Sequence, residues 1–107
     1  MTDTEFIEQA EQLLRRVESA CDLINDSSVV DIDNQRVGGL LTLTFAGGRQ
    51  IVVNMQKPLH EIWLAAPSGA YHYRFDANQW SDTRQTGEFF AELGRLASQL
   101  AGHSLSF

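Results

Sequence analysis

The sequence predicts an α+β two-layer sandwich, with an N-terminal and a C-terminal helix packed on one face of an antiparallel sheet. Three observations carry that expectation. Apolar residues recur at spacings of three and four near both ends of the chain. The middle alternates apolar and polar residues in short runs. Turn signals such as Gly47-Gly48 and Pro67-Ser68-Gly69 join those runs into a meander. The order helix, meander, helix leaves one sheet face open to solvent.

The first helix is expected from Thr4 to Ile24, where Phe6, Ala10, Leu13, Val17, Ala20 and Ile24 form an apolar stripe widened by Leu14 and Cys21. Its other side carries Glu8, Glu11, Arg15, Glu18 and Asp22, and Asn25 to Ser28 reads as the turn that ends it. Strands are expected at Val29–Asp33, Leu40–Ala46, Arg49–Gln56, His60–Ala65 and Ala70–Asp76, with a short last strand around Trp80. Asp31 and Asp33 then share a strand face. Thr86 is expected to cap the second helix with Glu88 in its first turn. Phe89, Phe90, Leu93, Leu96, Ala97 and Leu100 form its buried side, Gly102 stops it, and the tail His103–Phe107 packs between the helices.

Alternation also singles out one aromatic. If Ile62 and Leu64 face the core, Trp63 faces away from it. Asn54, Gln56 and His72 fall on the same open face, so Trp63 reads as the centre of a contact surface.

A chain of 107 residues fits a single domain, here 1–107, burying about 65% of its unfolded surface. No apolar run approaches the roughly 20 residues of a membrane span, and the acidic amphipathic N-terminus is unlike a targeting peptide. The one cysteine, Cys21, fits a reducing cytoplasm. The net charge of −6 is uneven. Residues 1–33 hold nine acids against Arg15 and Arg16, whereas residues 34–107 hold five acids and six bases. An acidic N-terminal third disfavours nucleic acid and anionic membranes and favours cations or a basic protein surface. The acids run from the helix through Asp26 to Asp31 and Asp33 without balancing bases nearby. Carboxylates without His or Cys select poorly among hard and borderline cations, so weak, exposed, multi-ion binding is expected, without an EF-hand. Neither a phosphate loop, a nucleophile elbow nor a paired-histidine metal motif is present, so the reading is not an enzyme.

These residues resemble the frataxin family in its bacterial form. The resemblance lies in Asn54-x-Gln56-x-Pro58, Ile62-Trp63-Leu64-Ala65, Pro67-Ser68-Gly69 and Tyr71-His72-Tyr73, and extends to Glu5-Phe6, the Gly38–Phe45 segment and Phe89-Phe90. It implies an iron-binding protein that regulates, or supplies iron to, iron–sulfur cluster assembly through a cysteine desulfurase and scaffold protein. Ferrous and ferric iron, or other divalent cations in their place, would be held by Glu18, Asp22, Asp26, Asp31 and Asp33, with Asp3, Glu8 and Glu11 peripheral. Asn54, Gln56 and Trp63 would contact partners, and the acidic ridge would also dock a basic surface of the desulfurase. Ser19, Leu23, Asn25, Ser27 and Val29 stand where relatives often add acids, which bears on how many ions bind. The implied state is a monomer, with iron-dependent oligomers in some members. The alternative is an acidic interaction module without physiological metal binding.

Overall fold

The computed structural model describes residues 1–85 and 87–107. Helix α1 spans Asp3–Ser27 and helix α2 spans Phe89–Ala101. Between them lie β1 (Asp33–Val37), β2 (Leu40–Thr44), β3 (Gln50–Gln56), β4 (Glu61–Ala66), β5 (Gly69–Asp76) and β6 (Gln79–Asp82). They form one antiparallel sheet in chain order, β1-β2-β3-β4-β5-β6. Both helices cover the same face, as the alternation predicts.

Helix α1 starts in a capping box. The Thr2 hydroxyl accepts from the Glu5 amide and the Glu5 carboxylate accepts from the Thr2 amide. Its stripe of Phe6, Ala10, Leu13, Leu14, Val17 and Cys21 is buried. Against it pack Leu41 and Leu43 from β2, Ile51 and Val53 from β3, and Ile62 and Leu64 from β4. Phe89, Leu93, Leu96 and Ala97 of α2 close the core, and Tyr73 meets Phe89 edge-on at 5.2 Å. Leu105 and Phe107 of the tail pack on this core, and the Arg16 guanidinium donates to the Phe107 carbonyl.

The strands expected at Leu40–Ala46, Arg49–Gln56, His60–Ala65 and Ala70–Asp76 shift by one or two residues at their ends, and three larger differences stand out. The helix does not end at Ile24 but continues through Asn25 to Ser27. The first strand is Asp33–Val37 rather than Val29–Asp33, and the physical reason is Asn25. Its side-chain amide donates to the Ile32 carbonyl at 2.9 Å and accepts from the Ile32 amide at 2.7 Å. That pair ties Ile32 to the helix end, so Val30 and Ile32 are buried in a connection instead of a strand. Register is then set by the two-residue hairpin Gly38-Gly39, which pairs Val37 with Leu40. Gly38 has φ +58°, and a Cβ on Gly39 would lie 2.9 Å from that of Met55. Finally, Glu88 is itself the cap of α2, accepting from the Phe90 and Ala91 amides. Thr86, expected in that role, lies outside the described residues.

Candidate functional site

The open face follows from register. Across β3, β4 and β5, Asn54 pairs with Trp63 and Trp63 with His72, so the three form one transverse row. Val37 and Leu40 extend that row to the sheet edge and are exposed. One row over, Gln56 pairs with Glu61 and Glu61 with Arg74. The sequence-predicted Asn54, Gln56, Trp63 and His72 are thus brought together, each half-buried.

The indole of Trp63 and the imidazole of His72 stack at 4.3 Å with an interplanar angle of 10°. Beneath them lies Glu61, which the sequence reading passed over. It is only 5% exposed. One carboxylate oxygen accepts from the Trp63 indole at 2.9 Å, the other from the Arg74 guanidinium at 2.9 Å, and His72 Nδ1 lies 3.7 Å away. A buried carboxylate is costly unless its lone pairs are satisfied, and here charged and neutral donors converge on it. Trp63 therefore has its one donor already engaged and offers a partner only its ring. Beside the stack is a shallow cavity of about 160 Å³ floored by Val52, Ala65 and Ala70. The signal for Glu61 was present, because alternation places it on the Trp63 side of β4.

The acidic surface lies on the exposed side of α1 and the chain that follows it. Glu8, Asp22, Asp26, Asp31 and Asp33 are exposed, and Glu11 and Glu18 are half-buried. Two expectations need correction. Asp31 and Asp33 do not share a strand face, because Asp31 precedes β1 and Asp33 begins it. Register places Asp33 beside Thr44, on the open side of the sheet. Nor do the acids lack a base: Arg36 of β1 reaches between Glu11 and Glu18, hydrogen-bonding Glu11 and lying 3.8 Å from Glu18. Arg15 lies 3.6 Å from Glu11, whereas Arg16 stacks over Phe90 on the other side of the helix. Asp22 accepts from the Asn34 side-chain amide at 3.2 Å.

Asp3 stands apart. His60, held in a left-handed conformation before β4, stacks on Phe6 and approaches the Asp3 carboxylate at 2.7 Å. That hydrogen bond, with Lys57 nearby, holds the Asp3 carboxyl below its ordinary value. Among the described residues, no three His, Cys, Asp or Glu side chains converge as a metal-holding group. Cys21 is buried in the core. Its burial, with Asp22 and Glu18 close by, pushes its thiol up to about 12, far from a reactive thiolate.

The Frataxin-like domain family model matches residues 1–103. The chain belongs to the frataxin family. An iron-sulfur cluster assembly protein CyaY of Albidiferax ferrireducens is 61% identical over 102 residues, covering 95% of this chain and 94% of that protein. A protein of the same name from Verminephrobacter eiseniae is 56% identical over 107 residues, covering 100% of this chain and 98% of that protein. A solved frataxin from Psychromonas ingrahamii superposes with a TM-score of 0.87 at 33% identity, over 99% of this chain and 97% of that one. The six-stranded sheet with two helices on one face is the frataxin fold. No helix of this frataxin, among the described residues, is long and apolar enough to cross a membrane.

Proposed function

We propose that this chain acts in iron–sulfur cluster assembly as a non-catalytic, cytoplasmic, iron-binding component of the cysteine desulfurase and scaffold complex. The observation that carries the reading is the division of the molecule into two chemically unlike surfaces. One is a run of carboxylates on and after α1, suited to weakly held iron or a basic partner. The other is the Trp63–His72 stack on the sheet face that the helices leave bare. The names of the relatives support the assembly role.

In this reading Asp22, Asp26, Asp31 and Asp33 carry the cation, Glu18 flanks them, and Asp3, Glu8 and Glu11 are peripheral. Iron is cargo, held through exposed oxygens and passed on. The folded chain works as a single monomeric unit over 1–107. Asn54, Gln56, Trp63 and His72 meet the partner. Docking through the ridge weakens with salt, since exposed charges are screened. Docking through the aromatic face does not.

A second reading, an acidic interaction module without physiological metal binding, is favoured by the lack of three convergent ligands among the described residues. Anaerobic titration with ferrous iron, followed by amide shifts, separates the two. The iron reading expects shifts from Asp22 to Asp33. If those amides stay fixed while the reconstituted desulfurase–scaffold complex still binds, the interaction module is correct.

A further inference from the structure

The two edges of the sheet are finished differently. At β6 the chain leading into α2 closes the ladder: the Asp82 amide donates to the Gly87 carbonyl at 2.8 Å, and Ser81 bridges to Glu88. Among the described residues, no such segment lies along β1. Which backbone groups of β1 face outward follows from the hydrogen bonds that flank the β2–β3 ladder. The Met55 amide donates to the Gly39 carbonyl and the Phe45 amide to the Arg49 carbonyl. Leu41 and Leu43 therefore bond β3, and Leu40, Thr42 and Thr44 bond β1. Their partners Val37, Gln35 and Asp33 turn their N–H and C=O groups inward. Asn34 and Arg36 turn theirs outward, where no described backbone group meets them. Two residues before Asn34 on the same edge, Ile32 has both groups taken by the Asn25 side-chain amide. The chain thus supplies a neighbour for one outward residue and leaves the next two open.

We propose that the outer edge of β1 accepts an extended segment of a partner protein as an added antiparallel strand, one that alternates basic and apolar residues. That chemistry follows from what flanks the edge. On an added strand the residue opposite Asn34 projects to the helix side, beside Asp22, which is bonded to the neutral Asn34 amide. A lysine or arginine there meets an opposite charge. The residue opposite Val37 projects to the open face, beside a side chain that is 78% exposed and has Leu40 next to it. An apolar residue there removes that surface from water. A second copy of this chain is the wrong occupant. Pairing β1 with β1 sets two α1 helices side by side, and each chain holds nine acids against two bases over residues 1–33. Edge pairing goes beyond the function proposed above, since it needs neither iron nor the Trp63–His72 stack.

The test is amide hydrogen exchange of the intact chain, read by NMR, with and without a short peptide that alternates lysine and valine. In the free chain Asn34 and Arg36 are expected to exchange fast and Gln35 slowly, in dilute and concentrated solution alike. With the peptide at about nine-tenths occupancy, Asn34 and Arg36 should exchange about tenfold more slowly, because only unbound chains exchange. Gln35, already bonded to β2, should change little. Two further peptides separate backbone pairing from charge. One is methylated on its lysine backbone amides, so it keeps its charge but cannot donate to the Asn34 and Arg36 carbonyls. The other has glutamate for lysine, so it keeps its donors but brings a like charge to Asp22. Both should leave the two amides fast. Suppose the methylated peptide slows them equally, or the lysine peptide shifts Asp22 while both stay fast. Charge attraction alone then holds the peptide, which overturns edge pairing and leaves the proposed function standing. Equal slowing by the glutamate peptide would overturn the basic partner. Slow exchange of Asn34 and Arg36 in the free chain would overturn the open edge, and slowing that appears only on concentration would give the edge to a second copy.

Discussion

Glu61 and Trp63 show how a single residue's environment decides what its neighbour can offer. Glu61 is nearly buried, yet its partner Arg74 is 64% exposed. Removing the carboxylate would leave Arg74 free to find water instead of stranding a buried charge. The penalty of about 3–5 kcal/mol for breaking a fully buried pair therefore does not apply. What is lost is the acceptor for the indole and one charge-assisted contact, worth about 1–3 kcal/mol. We expect Glu61→Ala to lower stability by about 2 kcal/mol in urea unfolding and Glu61→Gln by about half that, since the amide oxygen still accepts from Trp63. The Trp63 indole proton resonance should move strongly in the alanine variant and little in the glutamine variant. Equal indole shifts in both would show that the carboxylate does not hold the ring.

At the scale of elements, the least legible feature of the sequence was where β1 begins. Alternation at Val29–Asp33 is real, since Val30 and Ile32 are buried, but periodicity reports burial and not pairing. The deciding contact is the Asn25 amide, which supplies Ile32 with the two backbone hydrogen bonds a strand neighbour would have supplied. A side chain that mimics a backbone partner leaves no periodic trace. The Gly38-Gly39 hairpin was legible in principle and would have placed β1 directly before it, ending at Val37. Asn25→Ala should therefore cost about 2–3 kcal/mol, because it leaves both backbone polar groups of the buried Ile32 without their partner. Hydrogen exchange should quicken at Ile32 and in the last turn of α1 while β3 and β4 stay protected. If the loss were instead spread evenly over the sheet, the clamp would not be local.

Over the whole molecule, the sequence carried the layer architecture and the outward turn of Trp63, because both depend on periodicity along one element. Arg36 on the ridge and Glu61 under the stack were harder, since each depends on register between elements far apart in sequence. The acidic side of α1 has a consequence that is global in the same way. Asp22 lies four residues after Glu18 and four before Asp26 on that helix, so it repels both. Asp22→Lys converts two like-charge pairs into two attractive ones, at about 0.2–0.5 kcal/mol each before and after the change. The substitution also gives up the Asn34 hydrogen bond at 3.2 Å, an exposed contact of small worth. The net change should be a gain of roughly 1 kcal/mol, which for a chain of this size raises Tm by about 4–8 °C. On the function proposed above, the same substitution puts a positive charge among the carboxylates assigned to iron, so ferrous iron binding should weaken as the fold strengthens. Calorimetry in low salt and an anaerobic iron titration on the same sample would read both effects. A raised Tm with unchanged iron binding would mean that these carboxylates serve solubility alone. A lowered Tm would mean that the Asn34 contact outweighs the repulsion along the helix.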